Sequence, residues 1–157
     1  MRILGVDVGR KRTGLALSDP TARLATPWKT VPTSGSPAAC ARRIAELIAE
    51  AADPLDDAAG VAEIVVGLPR RLDGRDTTET AYARALAAAV EQKTGLPVHL
   101  QDERLTSRDA EARLAEREPD WRRRKERLDA AAAAIILQDF LDARLQPSPE
   151  ADRPNSW

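Results

Sequence analysis

The sequence is poor in aromatics, holds one cysteine and carries almost no net charge. Each shortage excludes something. Three tryptophans, one tyrosine and one phenylalanine make up only 3% of 157 residues, so the core must be built from alanine, leucine, isoleucine and valine. Trp28, Trp121 and Trp157 are too scattered to form a base-stacking platform. A single cysteine, Cys40, rules out an intrachain disulfide and a cysteine-based metal centre. It sits in an alanine-rich stretch and reads as a small packing residue. With 24 basic and 25 acidic residues the formal net charge is −1, which argues against a bulk polyanion binder. No apolar run reaches the ~18–20 residues that cross a bilayer. The opening MRILGVDVG lacks the apolar stretch and small-residue cleavage site of a signal peptide. No membrane partner is expected, and a cytoplasmic location is.

What is present is a chain of single-domain size. Strand signals fall at 2–8 and 13–18, with a shorter one at 27–31. After the turn-rich PTSGSP comes an amphipathic helix over 38–52, with Ile44, Leu47, Ile48 and Ala51 on one face. Ile64-Val65-Val66, within 61–69, fits a strand buried on both sides. A helix over 76–94 stops at Gly95 with Pro97 beyond. A short strand alternates over 97–103, and Ser107 caps a helix running to about 117. The last helix spans 124–145, and the tail 146–157 reads as disordered. Three strands followed by strands alternating with helices predict an α/β fold, a mixed sheet with helices on both faces. The predicted domain is 1–145.

The chemistry concentrates in MRILGVDVGRKRTGLALSD. An apolar strand carries one carboxylate, Asp7. Gly9, the cations Arg10, Lys11 and Arg12, and a turn at Thr13-Gly14 follow. A charge inside an apolar strand is costly unless it is paired or metal-bound. The adjacent cations predict an anionic ligand at the mouth of a β-hairpin. Two further acids stand out: Glu103, which ends the last strand signal, and Asp129, which shares a helical stripe with Ala133, Ile136 and Phe140. Two strand-end carboxylates and one from an overlying helix can converge at one sheet edge. Their mutual repulsion calls for divalent cations, and oxygen donors suit Mg²⁺ or Mn²⁺. Two such ions about 3.5–4 Å apart can clamp the attacking and leaving oxygens of a phosphodiester. Simpler readings stay open at this level. Asp7 can be an arginine-paired structural acid, and Glu103 a solvated strand end with Asp102 as its substitute. Asp129 can pair with Arg124 or Arg127. His99, between Val98 and Leu100, reads as solvent-facing and is given no role.

Taken in order, GVDVGRKRTGLALSD, VVGLPRRLDG, DERLTS and KERLDAAAAAIILQDFL resemble the YqgF (RuvX-like) family over residues 1–145. Its members go under the names pre-16S rRNA nuclease and Holliday-junction-resolvase-like protein. The resemblance implies an RNase H-like fold with a five-stranded mixed sheet. It also implies a metal-dependent nuclease site carried by Asp7, Glu103 and Asp129, with 5′-end maturation of 16S rRNA as the process and branched DNA as a second substrate class. In that picture Asp7 bridges two Mg²⁺ or Mn²⁺ ions, and Glu103 and Asp129 each complete one ion's shell. Arg10, Lys11, Arg12 and Arg71 hold flanking phosphates, and Thr13 and Ser107 add hydroxyl contacts. The family has an asparagine in the loop after the buried strand, where this chain has Arg71. Pre-rRNA or branched DNA is the expected partner, with the pre-ribosomal particle as a source of specificity. The oligomeric state is left open. Two other function classes compete. An actin-like phosphate-binding ATPase shares such an opening but needs two domains, which 157 residues do not supply. A non-catalytic transcription or ribosome-assembly factor would keep the fold without needing the acids.

Overall fold

The computed structural model describes residues 1–33, 35–69, 73–102 and 121–145, with 121–127 given by backbone alone. Five strands, β1 (Arg2–Val8), β2 (Arg12–Ser18), β3 (Ala25–Pro32), β4 (Val61–Leu68) and β5 (Val98–Asp102), form one sheet in the order β3-β2-β1-β4-β5. The first two pairings are antiparallel hairpins, and β1-β4 and β4-β5 are parallel. The mixed five-stranded sheet is therefore as expected. The helices are α1 (Pro37–Ala51), α2 (Thr78–Thr94) and α3 (Trp121–Leu145), with a 3₁₀ turn at Asp57–Ala59 in the loop before β4. The helix expected to start at Ser107 and the tail from 146 lie outside the described residues.

The helix ends follow local chemistry. Ser36 caps α1 by accepting from Ala39 N, with Pro37 in the first turn, where a missing N–H costs nothing. Thr77 and Thr80 cap α2 reciprocally, and Gly95 closes it in a left-handed conformation at φ 68°.

Strand alternation sorts the chain into two cores. Leu4, Val6, Val8, Leu15, Leu17, Ile64, Val66 and Leu68 face α1 and α2. Ile3, Ala16 and Val65 face α3, meeting Ala133, Ile136, Leu137 and Leu141. Ile64, Val65 and Val66 are fully buried, as a strand covered on both faces requires. Cys40 is a buried packing residue.

The α3 face is lined by small residues. A Cβ added at Gly5 would lie 2.8 Å from Leu137 Cβ and 2.9 Å from the Ala133 carbonyl oxygen. Close backbone approach of α3 to the sheet therefore depends on glycine there. Polar staples complete the docking. Gln138 Oε1 accepts from Ala25 N at 2.9 Å, and its Nε2 donates to Arg23 O at 2.9 Å. Arg144 donates to both Glu63 oxygens at 3.1 and 2.7 Å.

His99 departs from expectation. Its Nε2 lies 2.8 Å from Glu63 Oε2, and its ring centroid is 5.1 Å from that of Phe140 on α3. Because α3 covers that face of β5, the alternating polar position is half-buried. Leu100, on the opposite side, is 43% exposed.

Candidate functional site

Asp7 sits one residue before the end of β1 and is half-buried. It alternates with Val6 and Val8, which face the α1/α2 core, so it shares the α3 side with Ile3 and Gly5. Its register partner on β2 is Gly14. A side chain at Gly14 is impossible without movement. An added Cβ would overlap the carbonyl oxygen of Asp129 and lie 2.8 Å from Ala130 N. Asp7 and Asp129 thus flank the same glycine, one from the sheet and one from the helix above it. Small residues on β2 are what let α3 descend far enough to bring this about.

Arg12, two residues from Gly14 on the same side of β2, approaches the pair. Its Nε is 3.9 Å from Asp129 Oδ2, with both side chains about a third exposed. A pair at that distance and exposure is worth little to folding. It does leave a cation beside the Asp129 carboxylate.

The third expected acid, Glu103, lies outside the described residues, as do Arg71 and Ser107. Its predecessor is informative. On β5, Val98 packs towards the α1/α2 core and His99 towards α3. Alternation then places Gln101 on the Asp7 side and Asp102 on the opposite one. Among the described residues no group of three histidine, cysteine or acidic side chains is placed to hold a metal ion. Asp7 and Asp129, placed on either side of Gly14, offer only oxygen, the donor type of a hard divalent cation.

The hairpin turn is tight. Gly9 N donates to Arg12 O at 2.9 Å, and a Cβ at Gly9 would overlap that same carbonyl. This leaves Arg10 and Lys11 exposed at the tip. Arg10 is already engaged, its Nε donating to Glu79 Oε1 on α2 at 2.8 Å. Hydrogen bonds from its own backbone N–H, then from Arg10, Thr77 and Thr78, draw the Glu79 carboxyl down to about 2. Being 69 positions apart, Arg10 and Glu79 leave no local signature in the sequence.

Thr13 does not match the expectation of a hydroxyl offered to phosphate. It is fully buried, and its Oγ1 lies 2.6 Å from Thr33 Oγ1 and 3.8 Å from Cys40 Sγ. Thr13 points to the α1 side of β2, so its hydroxyl ties the hairpin to the loop before α1.

The sequence profile of the RuvX family, described as Holliday junction resolvase, matches residues 1–143. A curated protein of Pelotomaculum thermopropionicum, named "Putative pre-16S rRNA nuclease", is 40% identical over 99% of this chain and 96% of its own length. One from an Anaeromyxobacter species with the same name is 44% identical over 92% of this chain and 98% of its own. Among solved structures, T. thermophilus RuvC in complex with a Holliday junction substrate aligns with a TM-score of 0.55 at 17% identity. That alignment covers 92% of this chain and 96% of RuvC. The likeness to RuvC identifies the fold as RNase H-like. With the family profile and the relatives spanning almost all of it, the chain belongs to the RuvX family of nucleases.

Proposed function

We propose that this protein hydrolyses phosphodiester bonds of pre-16S rRNA during 5′-end maturation, with a divalent cation, Mg²⁺ or Mn²⁺, at the acids of the β1 end. The observation that carries this reading is the close approach of the Asp129 backbone to Gly14, the register partner of Asp7. The names of the curated relatives supply the substrate. Asp7, Asp129 and Glu103 are the residues that would hold the ions. Glu103 rather than Asp102 is the third acid because it is the one the family resemblance implies. A cation held there would lower the pKa of a water and offset charge on the leaving oxygen.

The chain's own residues do the rest. Asp129 arrives on a helix docked backbone to backbone, which fixes its carboxylate relative to Asp7. Arg12, beside Asp129, meets the charge that builds on the phosphate. Lys11 holds a flanking phosphate without reading sequence, and Arg71 and Ser107 are the further contacts that the family resemblance implies. Arg10 does so from its tether to Glu79. Thr13 holds the hairpin rather than the RNA. The net charge of −1 implies modest affinity with marked salt dependence, so a pre-ribosomal particle would supply the remaining specificity. Among the described residues no helix is long and apolar enough to cross a membrane, and we place the reaction in the cytoplasm.

The family's description favours one competing reading, a junction resolvase, which needs two sites related by a two-fold axis. Offering pre-16S leader RNA and a four-way DNA junction side by side, with Mg²⁺ or Mn²⁺, separates the two. Cleavage of the RNA, with at least about a hundredfold loss in Asp7→Asn, is expected, since even outer-shell changes cost 10–100-fold. Paired nicking of the junction alone would establish the resolvase. Cleavage of neither would favour a binding factor.

A further inference from the structure

Glu79 stands at an odd place for an acid. It lies in the first turn of α2, and its carboxylate meets the tip of a hairpin whose own charges, Arg10, Lys11 and Arg12, are all cationic. A protein that takes a polyanion over this hairpin gains nothing from a negative charge that merely repels it.

The hydrogen bonds give the acid another task. The carboxylate is fixed from its own helix. Thr78 Oγ1 donates to Oε2 at 3.1 Å, and the Glu79 backbone N–H and Thr77 hold it as well. Oε1 turns to the hairpin, where Arg10 Nε and Nη2 each approach it to 2.8 Å. Arg10 is the looser partner, with its side chain 84% exposed against 32% for Glu79. An ion pair so exposed adds little to folding. It does order a long side chain that would otherwise sample many rotamers.

The geometry also decides which part of Arg10 stays open. A guanidinium carries five N–H groups in one plane. Nε–H and one Nη2–H turn to Glu79 along one edge. The other edge, Nη1 with the second Nη2 hydrogen, is a two-donor fork that matches two oxygens of a phosphate. Arg10 follows Asp7 by three residues, at most about 11 Å of backbone. A phosphate on that fork is therefore a near neighbour of one at the acids.

We propose that Glu79 is a positioning residue of the RNA track: it anchors Arg10 by one edge, so that the opposite fork is held ready for a phosphate flanking the cleaved bond. The role rests on the nuclease reading, and it has a definite sign. Removing an acid that only repels RNA tightens binding. Removing an acid that holds an arginine in place weakens it.

The test uses the full chain carrying Asp7→Asn as parent, with Mg²⁺ present, so that the RNA stays intact. Fluorescence anisotropy with a labelled uridine dodecamer at low salt reads affinity, and thermal unfolding checks that each variant folds. Glu79→Ala is expected to bind about two- to tenfold more weakly, the cost of ordering one long side chain on binding. Glu79→Gln loses the same charge but keeps an oxygen for Arg10, and should bind at least about threefold more tightly than Glu79→Ala. With Arg10→Ala already in place, Glu79→Ala should no longer weaken binding. Affinity equal to or above the parent's in Glu79→Ala overturns the proposal and leaves the nuclease reading standing. So does an equal loss in the Ala and Gln variants, or a loss that persists without Arg10. A parent that does not bind the RNA overturns both.

Discussion

Gly14→Ala tests the idea that the site is built by backbone approach. The new Cβ would lie 2.8 Å from Ala130 N and overlap the Asp129 carbonyl oxygen. Ordinary contact needs about 3.5–4 Å. Both obstructing atoms are backbone, so no rotamer change relieves them, and α3 must retreat by at least about 1 Å. Overpacking of this kind costs about 1–3 kcal/mol. At roughly 2–4 °C per kcal/mol for a chain of this size, Tm should fall by about 2–12 °C. The retreat also carries Asp129 away from Asp7. A misplacement of about 1 Å costs about a hundredfold in rate. Gly5→Ala is the matched control: its Cβ would meet Leu137 Cβ at 2.8 Å and Ala133 O at 2.9 Å, under the same helix but beyond the acids. Differential scanning fluorimetry and a cleavage assay well below Tm would read both variants. The expectation is similar Tm losses with a much larger rate loss for Gly14→Ala. An unchanged Tm, with cleavage within about twofold of wild type, would refute the argument that glycine at position 14 sets the separation of the two carboxylates.

Three other expectations follow from particular contacts. Gln138→Ala removes the bonds to Ala25 N, Arg23 O and Asp142 Oδ1, and should cost about 2 kcal/mol by urea denaturation, with faster amide exchange confined to 23–26. Glu63 is held below its ordinary value of 4.5, first by hydrogen bonds from Arg144, against a smaller opposing effect of burial, and by His99. A depressed carboxylate adds stability above its unfolded pKa and loses it as pH falls through the folded one. Wild type should therefore lose more stability than Glu63→Gln as pH drops below about 4.5, and parallel urea midpoints down to pH 3 would contradict this. Lys11→Ala should weaken RNA binding and reduce the salt slope by about 1, whereas Thr13→Val should leave the slope unchanged and cost about 1 kcal/mol of stability.

The strands and three helices were legible because long periodic segments announce themselves. Ile64-Val65-Val66 could only be a strand covered twice, and Gly95 with Pro97 could only end a helix. What escaped has physical reasons. β3 runs from Ala25 to Pro32, longer than 27–31, and takes in two prolines. It is an edge strand paired only with β2, so a missing N–H on its open side breaks no ladder. His99 and Thr13 were misjudged for one shared reason. Alternation tells which residues share a face, not what covers that face, and in a sheet clad on both sides a polar residue can be half-buried on either. The acids Asp7 and Asp129 were legible as costly exceptions on apolar surfaces. Arg12 was named for its charge at the hairpin, and its approach to Asp129 follows from lying two residues before Gly14 on the same side of β2. The Arg10–Glu79 pair could not, because its partners meet only in the folded chain.

The two faces of the sheet are used differently, and the scarcity of large side chains explains how. The α1/α2 side is filled by leucine, isoleucine and valine and supplies most of the buried apolar surface. The α3 side is lined by Gly5, Gly14 and Ala16 below and by Ala130, Ala133 and Ala134 above. Small residues bury less area each, so this interface gives less hydrophobic stabilisation per residue. In exchange, the backbone of α3 can touch β2 at Asp129. The deficit is met by directional contacts, Gln138 to the start of β3 and Arg144 to Glu63, placed towards the far end of the helix from the acids. Such contacts fix orientation along the helix as well as distance from the sheet. A larger, greasier interface would hold α3 more strongly, but one side chain's thickness further out, and Asp129 would no longer reach the level of Asp7. The alanine run 130–134 is therefore a requirement of the site as much as a helix-forming preference.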